Sequence, residues 1–444
     1  MIHLFRLSLA ALVLACVSLP AAAVSLIRDA EIEHSLKQLA RPVLSAAGMG
    51  PNRIRILVIN ASTLNAFVVD ANHIFIHSGL IMRLQRPEAL QAVIAHEVAH
   101  IANGHLTRRA TNARSASRIS AVGLALAAAA AAGGQGQAAV GLAAGTASSA
   151  QRAFFAHTRA EEASADQSAL RYLVSAGIDP AAMLDILEIF RGQEALRPGR
   201  QDPYARSHPL SSDRVRAVKG YVAGAKGRTS TAPASAQYWY ARMSAKLQGF
   251  LRNPRYVLRR DASKGNGEIA VLRRAIAYHK TPAPKKAINE VTRLVNMRPN
   301  DPFYHELRGQ ILLESRNYAA AVQSYRRALA LAPRQALIEA ELGRALLLEG
   351  SAANVKQALT ILNRARARDP NNPRMLRDLA LAHAKSGQNA MASVATAERF
   401  VVTGRFKDAE LHAKRAAGAL PRGSNGWLRA QDVLAAAKAA PRRR

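Results

Sequence analysis

Two histidines one helical turn apart, with a glutamate beside the first, limit what this chain can be more than any other feature. The stretch reads Gln91-Ala92-Val93-Ile94-Ala95-His96-Glu97-Val98-Ala99-His100. On a helix His96 and His100 point the same way, so two imidazole nitrogens can converge on one metal ion. Glu97 projects about 100° round from His96, beside such an ion rather than on it. A carboxylate there can hold a water and take its proton. Pro87 and Glu88 suit a first helical turn, where a missing N–H costs nothing and a negative charge meets the dipole. Over residues 90–101 the only polar side chains are Gln91, His96, Glu97 and His100. A helix apolar nearly all round is buried, and burying two imidazoles and a carboxylate costs several kcal/mol unless they are paired. A chance H-E-x-x-H on a core helix leaves that cost standing; a metal removes it.

A site of this kind needs a third protein ligand and leaves a fourth position open. Cys16, the only cysteine, lies in a stretch expected to be removed on export. The mature chain then has no thiol, and its ligands must be histidine or carboxylate. Residues 158–176 carry Glu162 and Asp166 four apart, on one helical face with Ala169, Leu170 and Leu173. Two carboxylates heading an apolar face call for buried partners. Glu162 is the expected third ligand; Glu161 is the rival, and the spacing to Asp166 favours Glu162. Asp166 is placed to accept a hydrogen bond from the far nitrogen of a ligand histidine, fixing its tautomer. The expected cofactor is a single Zn2+ ion. His208-Pro209 follows a polar loop, with Asp213 and Arg214 on a helix after it. By composition alone, such a loop histidine reads as a surface residue.

Residues 1–23 read as a cleavable secretory signal: His3 and Arg6, an apolar run over 7–19, and an A-x-A site at Ala21-Ala22-Ala23. That run falls short of the ~20 residues a spanning helix needs. Leu14 fits a lipoprotein box poorly, so anchoring through Cys16 is not expected, and the reading is a periplasmic protein. A helix is expected over 26–48, from Ile27, Ile32, Leu36, Leu39 and Val43. Three short strands follow, over 53–60, 64–69 and 73–77. Asn65-Ala66-Phe67 is the candidate edge for holding an extended peptide by strand addition. His73 and His77 read as ordinary strand residues. Residues 110–150, alanine-rich around Gly133-Gly134-Gln135-Gly136, read as a helical hairpin with arms too short for a comfortable membrane span.

Residues 225–235 form a Gly/Ser/Thr/Pro/Ala linker and 236–266 a connecting helical segment. One spacing then recurs over 267–440: Ala287, Val291, Leu294, Pro299; Ala321, Tyr325, Ala328, Pro333; Ala358, Leu362, Ala365, Pro370; Ala409, Ala413, Ala416, Pro421. Gly309 and Gly343 lie one 34-residue period apart, and Ala380 keeps their place later. This is the tetratricopeptide pattern, a small residue where two helices cross and a proline closing each unit. Stacked repeats build a concave binding surface, with Arg326, Arg327, Arg364, Arg366, Lys414 and Arg415 as candidates to make it basic. Residues 441–444 are a basic tail. Lys+Arg of 62 against Asp+Glu of 30 gives a formal charge of +32. That fits peripheral contact with an anionic membrane surface, or simply solvated basic faces. No nucleic-acid motif is present and the aromatics do not interleave with basic residues, so no nucleic acid is expected.

The stretches His96-Glu97-Val98-Ala99-His100, Thr158-Arg159-Ala160-Glu161-Glu162-Ala163-Ser164-Ala165-Asp166, and Ser207-His208-Pro209 with Arg214 resemble the gluzincin family of HtpX and the CAAX prenyl proteases. Leu64-Asn65-Ala66-Phe67, Ser78-Gly79-Leu80 and Leu26-Ile27-Arg28-Asp29-Ala30-Glu31-Ile32-Glu33 are similar to the same family. With its repeats, the mature chain resembles the periplasmic branch typified by the beta-barrel assembly-enhancing protease. The resemblance implies His96, His100 and Glu162 as zinc ligands and Glu97 as general base. It implies that His208 reaches the active site, where it can occupy the open zinc position and hold the enzyme latent, with Arg214 in support. Thr158 and Ser164 stand where the family often has Ser and Glu; neither is a ligand position. The metzincin pattern fails: Asn103 and Leu106 stand where Gly and His are needed, and His105 is one residue early.

The expected fold is an α+β zincin-like metallopeptidase domain over 24–224, a small sheet plus helices, followed by an all-α tetratricopeptide-repeat solenoid. The expected function is an exported zinc endopeptidase acting on misfolded or stalled envelope and outer-membrane proteins. Its solenoid is expected to dock unfolded or misassembled polypeptides or the envelope assembly machinery. The alternative is a non-catalytic periplasmic chaperone or adaptor with a zinc site capped by His208. An intact Glu97 speaks against it, because a structural site needs no general base.

Overall fold

A computed structural model describes residues 25–108, 158–197, 200–225, 232–261 and 265–440. The signal, the 110–150 hairpin and the basic tail lie outside the described residues. Among those described, no helix is long and apolar enough to cross a membrane.

The N-terminal half is built on a four-stranded sheet in the order β1-β2-β4-β3. β1 (Leu26–Ile27) pairs antiparallel with Val58 and Ile59 of β2 (Arg55–Ile59). The helix expected from residue 26 therefore starts only at Ala30, as α1 (Ala30–Ala46). Asp29 caps it, its carboxylate accepting the Glu31 and Ile32 N–H groups at 3.0 Å each. β4 (His73–His77) runs parallel to β2, and β3 (Ala66–Asp70) pairs antiparallel with β4 and forms the free edge. α2 (Ser78–Arg83) begins where Gly79 packs against the backbone: a Cβ there would lie 2.2 Å from the Ser62 carbonyl. α3 (Pro87–Ala102) carries His96 and His100 and is buried along nearly its whole length. A helix over 158–175, here α4, then α5 (Ala182–Ile189), α6 (Pro203–Ser207) and α7 (Ser212–Gly224) complete this half. Its core joins Ile32, Leu36, Leu39 and Val43 of α1 to Leu90 and Val93 of α3, with Ile56 and Ile74 from the sheet.

The next helix, α8 (Ala234–Leu251), belongs to both halves. Tyr240, Met243 and Leu247 enter the N-terminal core, while Ala245 packs with Val271 and Leu272 of the following one. Two cations on α8, Arg242 and Lys246, are fully buried. Arg242 pairs with Glu31 (2.5 Å) and Asp301, and Lys246 with Asp29 (2.9 Å), Glu31 (3.3 Å) and Glu306 (3.2 Å). A composition-based linker and connecting segment gives no hint of this, because ion pairs between residues about 60 to more than 200 positions apart have no period.

An all-helical array follows: α9 (Pro254–Asp261), α10 (Glu268–His279), α11 (Pro284–Met297), α12 (Pro302–Glu314), α13 (Tyr318–Leu331), α14 (Ala336–Glu349), α15 (Ala352–Arg368), α16 (Pro373–Lys385), α17 (Asn389–Val402), α18 (Phe406–Ala419) and α19 (Asn425–Ala439). It forms the tetratricopeptide-type solenoid. The repeated glycines sit where helices cross: a Cβ on Gly309 would lie 2.9 Å from the Tyr325 ring, and one on Gly343 2.6 Å from Leu362. Arg364 and Arg366 face Glu339 and Glu398 at 3.6 Å each, and Lys414 faces Glu410 at 2.6 Å. Arg326 and Arg327 donate to Gln357 and Asn300, and Arg415 is exposed. The basic residues named from sequence are thus partly neutralised by neighbours.

The solenoid folds back onto α1 and β2. Arg28 and Arg55 both reach Asp369, at 2.7 and 3.0 Å, and both also pair with Glu33. His34 packs on Trp239 and Phe303 with ring centroids 4.6 and 4.9 Å away. Burial first, then Lys37, Arg242 and Arg41, lower the His34 pKa to about 4, with Asp301 opposing. Folding therefore favours the neutral ring. This stabilisation is complete above about pH 6.5, the unfolded value, and is lost as pH falls toward about 4. Thermal melts should drop across that window in the wild type and less steeply in His34→Gln. Parallel profiles would exclude His34 as the titrating group.

Candidate metal centre

The site forms where three separate stretches of chain meet. α3 presents His96 and His100 from a buried helix, anchored in its N-terminal half by Gln91, whose Nε2 donates to the Leu39 carbonyl at 3.0 Å. α4 brings Glu162 and Asp166, and the turn between α6 and α7 brings His208. His96, Glu97, His100, Glu162 and His208 are all at most 5% exposed.

The donor atoms converge. His96 Nε2 lies 3.1 Å from His100 Nε2, 3.3 Å from Glu162 Oε2 and 3.3 Å from His208 Nδ1. Glu162 Oε1 is 3.5 Å from His100 Nε2, and Glu162 Oε2 is 3.0 Å from His208 Nδ1. Four donors each ~2.1 Å from a tetrahedrally bound ion would stand about 3.4 Å apart. The spacing therefore fits a metal, and these four residues form a possible metal-holding group. The electrostatics agree. Burial lowers the proton affinity of His96, but Asp166 and Glu162 outweigh it and push its pKa up to about 9. Burial likewise raises Glu162 and Asp166, yet His208 and His96 around the first, and His96 and Arg214 around the second, hold both below the usual carboxylate range. The two carboxylates beside His96 thus favour positive charge at that point of the cluster.

Glu97 is fully buried, with Oε1 3.3 Å from His208 Nε2. It stands beside the cluster and outside its donor set. Asp166 Oδ1 is 3.0 Å from His96 Nδ1, the nitrogen that faces away from the cluster. Arg214 grips Asp166 with two hydrogen bonds, Nε to Oδ2 at 2.7 Å and Nη2 to Oδ1 at 2.9 Å. It also donates to the Pro209 carbonyl at 2.8 Å, tying the His208 turn to α4. The Tyr204 ring lies against His208 at 4.5 Å, and Phe190 stacks on Tyr204. On the strand side, Ala66 of edge strand β3 turns its carbonyl to His208 Nε2 at 3.4 Å. Asn65 accepts from the His77 N–H, and Phe67 stacks on Phe75. Ala66 alone of these three approaches the cluster.

One buried residue escapes sequence reasoning. His105 Nδ1 lies 2.9 Å from His100 Nδ1. Gly104, at φ +68°, turns the chain back beneath α3 so that the rings meet. To offer Nε2 to an ion, His100 must carry its proton on Nδ1, and His105 is the acceptor there. The only available signal is a histidine five residues beyond the motif, directly after a glycine. His105→Ala should weaken zinc retention roughly 10- to 100-fold in chelator competition, with partial recovery in His105→Gln. Unchanged affinity in His105→Ala would remove this role. Asn103 donates to Ser164 Oγ (3.1 Å) and Ser168 Oγ (3.2 Å), clipping the end of α3 to α4. The departure at Ser164 therefore has a local use.

Residues 27–222 match Peptidase family M48. The chain is 22% identical over 395 residues to the beta-barrel assembly-enhancing protease of Yersinia pestis, covering 87% of this chain and 79% of that protein. It is 24% identical over 391 residues to the protein of that name from Escherichia coli (strain K12), covering 86% and 78%. The mitochondrial metalloendopeptidase OMA1 of Schizosaccharomyces pombe is 24% identical over 204 residues, covering 46% and 57%. Among solved structures, a MamA chain (AMB-1) aligns with 37% of this chain and 99% of its own length at 17% identity and a TM-score of 0.33. By its sequence motif, its converging donors and these relatives, this chain is similar over residues 27–222 to Peptidase family M48, and along most of its length to the beta-barrel assembly-enhancing proteases.

Proposed function

We propose that this protein is an exported zinc endopeptidase that cleaves misfolded or stalled envelope proteins, outer-membrane proteins among them, and that His208 holds it latent at rest. The observation that carries this reading is Glu97, a fully buried carboxylate beside the donor cluster. A purely structural site has no use for such a base. Zinc suits the donors, which are nitrogen and carboxylate oxygen; the chain's only cysteine, Cys16, belongs to the proposed signal. When bound, zinc lowers the pKa of water toward neutrality and polarises a carbonyl. Glu97 takes the proton of the attacking water and passes it to the leaving amine. Substrate lies as an added strand along β3, at Asn65, Ala66 and Phe67. His208 faces both the Ala66 carbonyl and Glu97, so its departure frees the strand edge and the base together.

Export follows from residues 1–23, and placement in the periplasm from export. The solenoid serves unfolded polypeptides or an envelope assembly machine, a reading supported by the names of the relatives. The basic surplus suits peripheral contact with an anionic membrane. The capped geometry at His208 favours one second reading, a chaperone or adaptor with a closed zinc site. Residues 24–444 and their His208→Ala variant, assayed on unfolded casein with and without chelator, separate the two. Chelator-sensitive cleavage that appears or rises in His208→Ala supports a latent peptidase. Silence from both proteins, each with zinc bound, would favour the chaperone.

A further inference from the structure

Away from the metal centre, a cleft of ≈700 Å³ separates the two halves. One wall is α1 and β2, with Lys37, Arg55 and Ile56; the other is the turn between α13 and α14, with Arg334, and the end of α15, with Arg368. Two independent features make this cleft a built site.

The first is an open strand edge. β1 covers β2 only at Val58 and Ile59. The Arg55 N–H goes to the Asn72 carbonyl on the β4 side, and the Asn60 N–H to the Ser25 carbonyl on the β1 side. Alternation along the strand then turns the Ile56 N–H and C=O toward the β1 side. There the chain has already left to cap α1, and no backbone partner meets Ile56 among the described residues on that side. The Ile56 side chain is in the core, so what it offers the cleft is backbone.

The second feature is charge. Among the described residues, Glu33 is the only carboxylate lining the cleft, and Arg28 and Arg55 already hold it. Arg368 is paired with Glu339. Lys37 and Arg334 are exposed and have no acidic partner among the described residues.

We propose that this cleft binds an extended, acidic polypeptide segment by strand addition to β2, on the sheet edge opposite β3. The Ile56 N–H and C=O take one backbone pair of the segment, continuing the line that β1 starts. Lys37 and Arg334 take its carboxylates. Alternating acidic and apolar residues fit best, because successive side chains of the added strand point to opposite faces. The site needs no catalysis, so it stands or falls separately from the peptidase reading.

The test uses residues 24–444 carrying Glu97→Gln, so that no probe is consumed, and fluorescence anisotropy of a labelled ten-residue peptide of alternating Val and Glu. Lys37→Glu with Arg334→Glu should weaken binding by about tenfold or more, and added salt should weaken it too. Both residues are exposed and unpaired, and unchanged circular dichroism checks that the fold survives. Methylating alternate backbone nitrogens of the peptide should cost a similar factor without touching the protein. Undiminished binding to the double variant would put the peptide elsewhere and overturn the proposal. So would equal affinity for the methylated peptide, or for oligoglutamate, which would mean a plain anion site. Failure of the Val–Glu peptide to bind at all would overturn it as well.

Discussion

Glu97→Gln is expected to lower turnover of an unfolded polypeptide by roughly 10²- to 10⁴-fold while zinc content stays at the wild-type level. The amide keeps the size of the carboxylate but cannot take a proton. The side chain stands 3.3 Å from His208 Nε2 and outside the four donors, so its exchange leaves the ion's ligands in place. Where His208 silences the wild type, the comparison belongs in the His208→Ala background. Glu162→Gln should give the contrasting signature, loss of zinc and turnover together, because Glu162 is one of the donors. The pair of variants separates a base from a ligand. Wild-type turnover in Glu97→Gln would remove Glu97 from the chemistry, whatever its burial.

The second large effect is structural. Arg242→Met should cost about 3–5 kcal/mol of stability, the range for breaking a buried ion pair from one side. Arg242 is fully buried between Glu31 and Asp301 and lies 4.1 Å from the centre of the Tyr304 ring. Methionine fills much of the space but leaves two carboxylates facing an apolar stem. Lys246, 3.3 Å from Glu31, offsets part of that charge and little of the cost at Asp301. Urea unfolding followed by fluorescence of the neighbouring Trp239, 5.2 Å from the guanidinium, reads the change directly. A shift under ~1 kcal/mol would put the network in the class of surface pairs.

What sequence could say of this molecule follows from how local each interaction is. His96, His100 and Glu97 are legible because three residues on one turn carry the chemistry and the apolar helix around them carries the burial. Glu162 and Asp166 are legible for a related reason, two acids heading an otherwise apolar face. The strands at 55–59 and 66–70 lie within two residues of the ranges expected from alternation. Leu26–Ile27 reads as the start of a helix because its apolar residues fit that period; only pairing with Val58 and Ile59 makes it a strand. His208 and Arg214 have no local signature at all, and resemblance alone draws attention to them. His105 acts on His100 through a glycine turn, a contact no periodic pattern encodes. Arg242, Lys246 and the Arg28–Asp369 pair join residues far apart in sequence, and nothing short of the folded chain brings them together.

The helix Ala234–Leu251 carries a consequence for how this enzyme can be damaged. It is seated on the peptidase half by the Tyr240 hydroxyl on the Leu84 carbonyl and by the Ala232 N–H on Glu88. Its other side begins the solenoid. A cut within residues 226–231 leaves that seat in place, and the two pieces stay together. A loss from residue 232 onward removes Tyr240, Met243 and Leu247 from the core of that half and is expected to destabilise it. The stability of the N-terminal half is therefore tied to the first helix of the solenoid, and that half ends physically at Leu251 rather than before residue 232.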